Sequence, residues 1–152
     1  QFLSNIGSEG LQGNPVFTID NRGKKGVALD TSKPEGVAAL KKLVADADVF
    51  LTNVRPGGLE RSGLDYESIK AINPKLIYAS VTGYGLTGPD RDKPGFDVAA
   101  FYDRSGIGRM ATPKGQEPAP LRMANGDHTT AMATVAGILA AIIERSKGKL
   151  VE

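Results

Sequence analysis

Apolar residues fall into three short runs separated by segments with helical spacing. Gly26-Val27-Ala28-Leu29-Asp30, Asp48-Val49-Phe50-Leu51-Thr52-Asn53 and Leu76-Ile77-Tyr78-Ala79-Ser80-Val81 each read as a strand. The second is mostly apolar, the pattern of a strand covered on both faces. Between the first two runs, Val37, Leu40, Leu43 and Val44 recur at helical spacing. Thr31 or Ser32 is the expected cap of that helix, with Pro34 and Glu35 in its first turn. After the turn Pro56-Gly57-Gly58, residues 59–62 suit one helical turn, and a short helix from 65 or 66 to 72 stops at Asn73-Pro74. Strand, helix, strand, helix, strand at these spacings predicts an α/β class with right-handed crossovers and a parallel sheet.

The texture changes on either side of this core. Residues 1–22 are rich in Gly, Asn, Ser and Gln and read as an arm or loop. Residues 83–95 form a Gly, Pro and Asp loop, 96–104 suit a helix ending near Gly106, and 108–126 read as a second long loop. Loops of that length inside a domain are often functional. The last expected element is a helix from 127 to about 147, apolar nearly all round, with small residues at Ala131, Ala133, Ala136, Gly137, Ala140 and Ala141. Such a helix is expected to be buried, in a larger domain or against a partner chain. The expected organisation is thus an arm (1–22), a sheet core with ligand-facing loops (23–107), and a loop and helix of the same domain (108–152).

Composition narrows the chemistry. The chain has 152 residues, 40% hydrophobic and 24% charged, which suits one soluble globular domain. Its formal net charge of +2 and scattered basic residues do not suit nucleic acid, but fit a phosphorylated or carboxylated small molecule. With no cysteine, a thiolate nucleophile, a disulfide framework and a cysteine metal site are excluded; the cytoplasm is the expected compartment. One histidine, His128, does not make a histidine metal cluster, and no metal is expected. The longest apolar run, 131–143, is interrupted by Thr134 and Gly137 and reads as too short to span a bilayer. The first residues show no signal-peptide pattern, and the lack of an initial Met fits a fragment.

Three motifs carry candidate chemistry. Gly83-Tyr84-Gly85-Leu86-Thr87-Gly88 matches the dinucleotide fingerprint, but Pro89-Asp90-Arg91-Asp92-Lys93-Pro94 follows where that motif needs a helix. A flexible glycine loop near an active site is preferred to a nicotinamide site. Asn53-Val54-Arg55-Pro56-Gly57-Gly58-Leu59-Glu60-Arg61 lies at the carboxyl end of the second strand, the edge where open α/β sheets bind ligands. Arg55 and Arg61 either contact phosphates there or are surface arginines on a tight turn. Gly126-Asp127-His128-Thr129-Thr130 opens the last helix. Asp127 is either its N-cap or a nucleophile that the helix dipole keeps ionised. His128, pointing to another face, reads as a polar side chain and not as a base for Asp127.

Four segments, in order, resemble the family III (carnitine dehydratase-like, CaiB/BaiF) CoA-transferases. They are Asn21-Arg22-Gly23-Lys24-Lys25 with Leu29-Asp30 and Pro34-Glu35-Gly36; Asn53-Val54-Arg55-Pro56-Gly57 with Arg61 and Gly63-Leu64; Asn73-Pro74 through Tyr78-Ala79-Ser80 to Gly83-Tyr84-Gly85-Leu86-Thr87-Gly88-Pro89; and Pro94-Gly95-Phe96-Asp97 with Gly126-Asp127. The resemblance implies a three-layer, open, Rossmann-like parallel sheet in an interlocked homodimer. It implies CoA transfer from an acyl-CoA to a carboxylic acid, through an aspartyl anhydride and an aspartyl-CoA thioester. CoA is then a substrate, and no covalently bound cofactor is expected. The nucleophile falls on Asp127, the CoA contacts on Leu29, Asn53, Val54, Arg61 and Lys93, and the substrate loop on Gly83, Tyr84, Gly85 and Phe96. Related racemases need an acid/base where this chain has Phe96, so racemisation is disfavoured. Family chains are much longer, so the chain is read as an internal stretch, active or a non-catalytic dimer module.

Overall fold

The computed structural model describes residues 15–119 and 124–149. Along them run α1 (Pro15–Asp20), α2 (Pro34–Ala45), β1 (Val49–Thr52), α3 (Pro56–Ser62), α4 (Tyr66–Ile72), β2 (Ile77–Ser80), a π-helical turn (Asp97–Asp103), α5 (Ile107–Ala111) and α6 (Asn125–Ser146). β1 and β2 pair in parallel, from Val49 opposite Ile77 to Thr52 opposite Ser80, with α3 and α4 in the crossover. The mixed α/β class and the parallel ladder are as the apolar runs predict.

The core forms where the periodic apolar positions of α2 and α4 meet the sheet. Val44, Leu59, Leu64, Ile69 and Leu76 are buried together, with Val37, Leu40, Phe50, Ile72 and Tyr78 packed around them. Two polar devices close it. Asp65 caps α4 by accepting the Ser68 N–H at 3.1 Å. Asn73, just past α4, turns its amide onto the carbonyls of Val44, Ala45 and Ala47 at 3.1, 3.1 and 2.9 Å, meeting the open end of α2.

Several expectations are corrected. Residues 26–30 are irregular, and the sheet has two strands among the described residues. A strand exists only through its ladder, and this run finds none; it ends in a turn in which Asp30 accepts the Ser32 N–H and hydroxyl at 3.1 and 2.6 Å. Ser32 is thereby occupied, and the cap position of α2 passes to Lys33, which makes no side-chain cap bond. α3 begins at Pro56 and is longer than one turn. A helix, α1, stands at Pro15–Asp20 inside the expected arm; residues 1–14 lie outside the described residues. A further short helix, α5, stands at Ile107–Ala111 where a loop was expected. The helical segment after Phe96 is π-helical.

The burial expected of α6, in a larger domain or against a partner chain, is not supplied by the described residues. The helix lies against β2 and the π turn, yet Met132, Val135, Leu139 and Ile143 are 71, 49, 53 and 53% exposed. The described elements meet only one strip of a helix that is apolar nearly all round. At 22 residues it is, by length and composition, long and apolar enough to cross a membrane, unlike the 131–143 run alone. Its far end is fixed by Arg145, which donates to the carbonyls of Asp48 and Lys75 at 3.3 and 3.0 Å and pairs with the Asp48 carboxylate at 2.8 Å.

Candidate active site

The carboxyl ends of β1 and β2 open into a cleft of about 790 Å³, walled on the far side by the π turn and the first half of α6. β1 leads there into Thr52-Asn53 and β2, past Val81, into Thr82-Gly83, small or polar residues that leave room at the sheet edge. Asn53, Gly83, Lys93, Phe96 and Asp127, widely separated in the sequence, all line this one cleft. Arg55 and Arg91 line it too. Leu29, Val54, Arg61, Tyr84 and Gly85 lie outside the lining. Leu29 is half-buried in the irregular segment before α2, and Val54 is 52% exposed. Tyr84 lies under the Arg104 guanidinium, 5.7 Å from ring centroid to Cζ. The Gly85 N–H donates to Thr82 Oγ1 at 2.9 Å.

The loop between β2 and the π turn is closed at its neck by two glycines. A Cβ on Gly83 would stand 2.4 Å from the Gly95 Cα, so neither position has room for a side chain. Beyond the neck the loop is tied to α3. The Gly57 N–H donates to Asp92 Oδ1 at 3.1 Å, and Arg55 donates to the Asp92 carbonyl at 3.3 Å. Arg91 pairs with Glu60, and Lys93 with Asp90 at 2.7 Å. Hydrogen bonds from Lys93 and Arg104 hold the Asp90 carboxyl below the usual carboxylate range. Three cations, Arg55, Arg91 and Lys93, therefore gather at the cleft. Glu60 and Asp92, which hold Arg91 and Arg55, are exposed, and such surface pairs are weak enough for an incoming anion to displace; Asp90, which holds Lys93, is half-buried.

Asp127 is the third residue of α6 and not its cap, because Ala124 holds that position with a left-handed φ of 62°. The His128 N–H closes the first turn on the Ala124 carbonyl at 2.9 Å. The capping expected of Asp127 comes from Asp97, whose Oδ1 accepts the Gly126 N–H at 2.6 Å. Burial, and then the neighbouring Asp97 charge, push the Asp127 carboxyl above its ordinary range, against a smaller opposing effect of His128. The side chain nevertheless keeps contact with solvent at the cleft. The His128 ring lies 3.3 Å from Asp20 Oδ1, on α1, and serves as a polar partner there.

Asp97 and Arg91 were not assigned from sequence. The signal for Asp97 is a pair of positions read together: an acidic residue after Phe96, and a glycine before Asp127 that leaves space for it. Arg91 sits in a loop whose composition says only that it is polar.

The model of CoA-transferase family III matches residues 5–151. The chain is 42% identical to (R)-2-hydroxy-4-methylpentanoate CoA-transferase of Clostridioides difficile, over 88% of this chain and 34% of that one. It is 42% identical to succinate–glutarate CoA-transferase of Agrobacterium fabrum, over 93% of this chain and 35% of that one. A CaiB/BaiF family protein from Brucella suis superposes with a TM-score of 0.76 at 40% identity, over 83% of this chain and 33% of that structure. The chain thus spans about a third of the length of the curated relatives it matches. A cleft at the carboxyl ends of parallel strands, cations at its rim, an aspartate on the first turn of α6 and the family match over residues 5–151 agree: the chain belongs to CoA-transferase family III.

Proposed function

We propose that the protein moves CoA from an acyl-CoA to a carboxylic acid, with Asp127 as the nucleophile. The observation that carries this is the position of Asp127: on the first turn of α6, free of capping duty, in a cleft that also holds Arg55, Arg91 and Lys93. A carboxylate at the opening of such a cleft is placed to attack an activated carbonyl. In the proposed sequence, Asp127 attacks the thioester carbonyl, the CoA thiolate leaves and a mixed anhydride forms. The thiolate then attacks the aspartyl carbonyl of that anhydride and releases the donor acid, leaving aspartyl-CoA. The acceptor carboxylate displaces the thiolate to form a second anhydride. Thiolate attack on the acceptor carbonyl gives the new acyl-CoA and returns the Asp127 carboxylate. No net proton or redox change is needed.

Asn53 and Lys93, with Arg55 and Arg91, are proposed to hold CoA inside the cleft, the cations meeting its phosphates. Leu29, Val54 and Arg61 are assigned to the part of this long ligand that leaves the cleft, and Tyr84 and Gly85 to a loop that moves over the acyl group. Phe96 has no proton to exchange, which disfavours racemisation. At the level of the fold, the two-stranded ladder is proposed to be part of a larger open sheet with helices on both faces, and α6 to be covered in an interlocked homodimer. The exposed stripe Met132, Val135, Leu139 and Ile143 favours a second reading, a dimer module that keeps the fold without turnover.

The test is transfer between an acyl-CoA and a free acid by the protein that carries this chain, alongside its Asp127→Asn variant. The proposal expects transfer in the parent and a loss of about a thousandfold or more in the variant, the scale seen when a nucleophile is removed. The unfolding midpoint of both should still rise with added CoA. Undiminished transfer in the variant removes Asp127 as nucleophile; no transfer and no CoA response in the parent favours the module.

A further inference from the structure

An α-helix leaves its first N–H groups without partners inside the helix, and a side chain at the cap position ordinarily meets one of them. In α6 that position is Ala124, which has no group to offer. The Gly126 N–H is met from another element, by the Asp97 carboxylate at 2.6 Å, 29 residues earlier in the chain. The bond is short, as expected when the acceptor is ionised. Both sides of the contact are shaped for it. Asp97 is half-buried at the start of the π turn, and Gly126 is buried against it. A Cβ at position 126 would stand 2.2 Å from Asp97 Oδ1 and 2.4 Å from Phe101 Cγ. Only a glycine there lets the carboxylate reach the backbone.

The residue held in this way is the one immediately before Asp127. Fixing its N–H fixes the backbone of the first helical turn, and with it the direction in which the next side chain leaves the helix. A left-handed Ala124 just upstream costs energy that the surroundings must offset, and the Asp97 bond is one contact that holds this entry in place.

We propose that Asp97 is a positioning residue for the transfer reaction: its carboxylate holds the Gly126 N–H, sets the first turn of α6 and aims Asp127 into the cleft. After burial, the neighbouring Asp97 charge also raises the proton affinity of Asp127 above its ordinary value. The other charged groups around Asp127 are His128 on its own helix, itself facing Asp20, and Arg55, Arg91 and Lys93 in the cleft.

This role rests on Asp127 being the nucleophile, so Asp127→Asn accompanies the test as a control. Asp97→Asn and Asp97→Ala are made in the protein that carries this chain, and kcat, KM for the acyl-CoA and the pH profile of kcat/KM are measured. Asn keeps an accepting oxygen. Its kcat is expected within about threefold of the parent, with the acidic limb moved to lower pH, because Asp127 holds its proton less tightly once the neighbouring charge is gone. Ala removes the acceptor, and kcat is expected to fall by about ten- to a hundredfold with KM little changed, the scale of a misaimed reacting group. A parental kcat in Asp97→Ala, or a loss confined to KM, overturns the role. So does an acidic limb that stays in place in Asp97→Asn, and that measurement decides alone if the Ala variant does not fold. Transfer that survives Asp127→Asn removes the nucleophile assignment itself, whatever the Asp97 variants do.

Discussion

Two carboxylates divide the work that a sequence reading gives to one. Asp127 looks like a helix cap because Asp often is one, and helix starts are assigned by pattern. In the fold the cap is supplied from elsewhere, by Asp97, and Asp127 is left with a side chain that makes no capping bond. This division was not legible because it depends on a contact between residues 29 positions apart. Asn53, Lys93 and Phe96 were legible because the order of short motifs carries them, and the cleft brings all three together with Asp127. The raised proton affinity of Asp127 also has a sign for stability. A carboxyl whose folded value lies above its unfolded one favours folding most at low pH, and that contribution is lost as pH rises through the folded value. Ionised Asp127 therefore works against the fold at neutral pH, though only weakly because the side chain is exposed to solvent. The Asp127→Asn protein is expected to unfold at or above the parental midpoint at pH 7, with the difference shrinking as pH falls into the ordinary carboxylate range. A clearly lower midpoint at pH 7, followed by circular dichroism, would show that Asp127 is a structural group.

Among the elements, legibility tracked how much of each is decided locally. α2, α4, β1 and β2 follow from apolar periodicity and from Pro, Asp and Asn at their ends, and they stand where the pattern puts them. α1 and α5, of 6 and 5 residues, are too short for periodicity to register. Residues 26–30 have a strand-like composition but no ladder, and composition cannot show whether a partner strand is at hand. Asn73 illustrates a contact between elements that reads in the sequence only as a helix stop. Its side-chain amide serves the carbonyls of Val44, Ala45 and Ala47, so the end of α2 is capped by the residue that follows α4. Asn73→Ala leaves those carbonyls without that donor and should cost about 1 to 3 kcal/mol of unfolding free energy in denaturant titration. A change within about 0.5 kcal/mol, the usual range for a surface substitution, would mean that solvent replaces the amide without loss.

At the scale of the molecule, the fold and the site are two readings of one arrangement. The parallel ladder aims both strand ends at one cleft, α3 and the loop before the π turn bring cations to its rim, and α6 crosses its far wall with Asp127 on the first turn. The described residues leave the apolar stripe along α6 uncovered, and the chain spans about a third of the length of the curated relatives it matches. The central claim is that Asp127 becomes covalently bonded during transfer. Its most direct test is to incubate the protein that carries this chain with an acyl-CoA, quench with hydroxylamine and identify the modified peptide by mass spectrometry. The expected product is an aspartyl hydroxamate at Asp127 that requires the acyl-CoA and is absent from Asp127→Asn. Turnover with an unmodified Asp127, or a hydroxamate on another carboxylate, would contradict it.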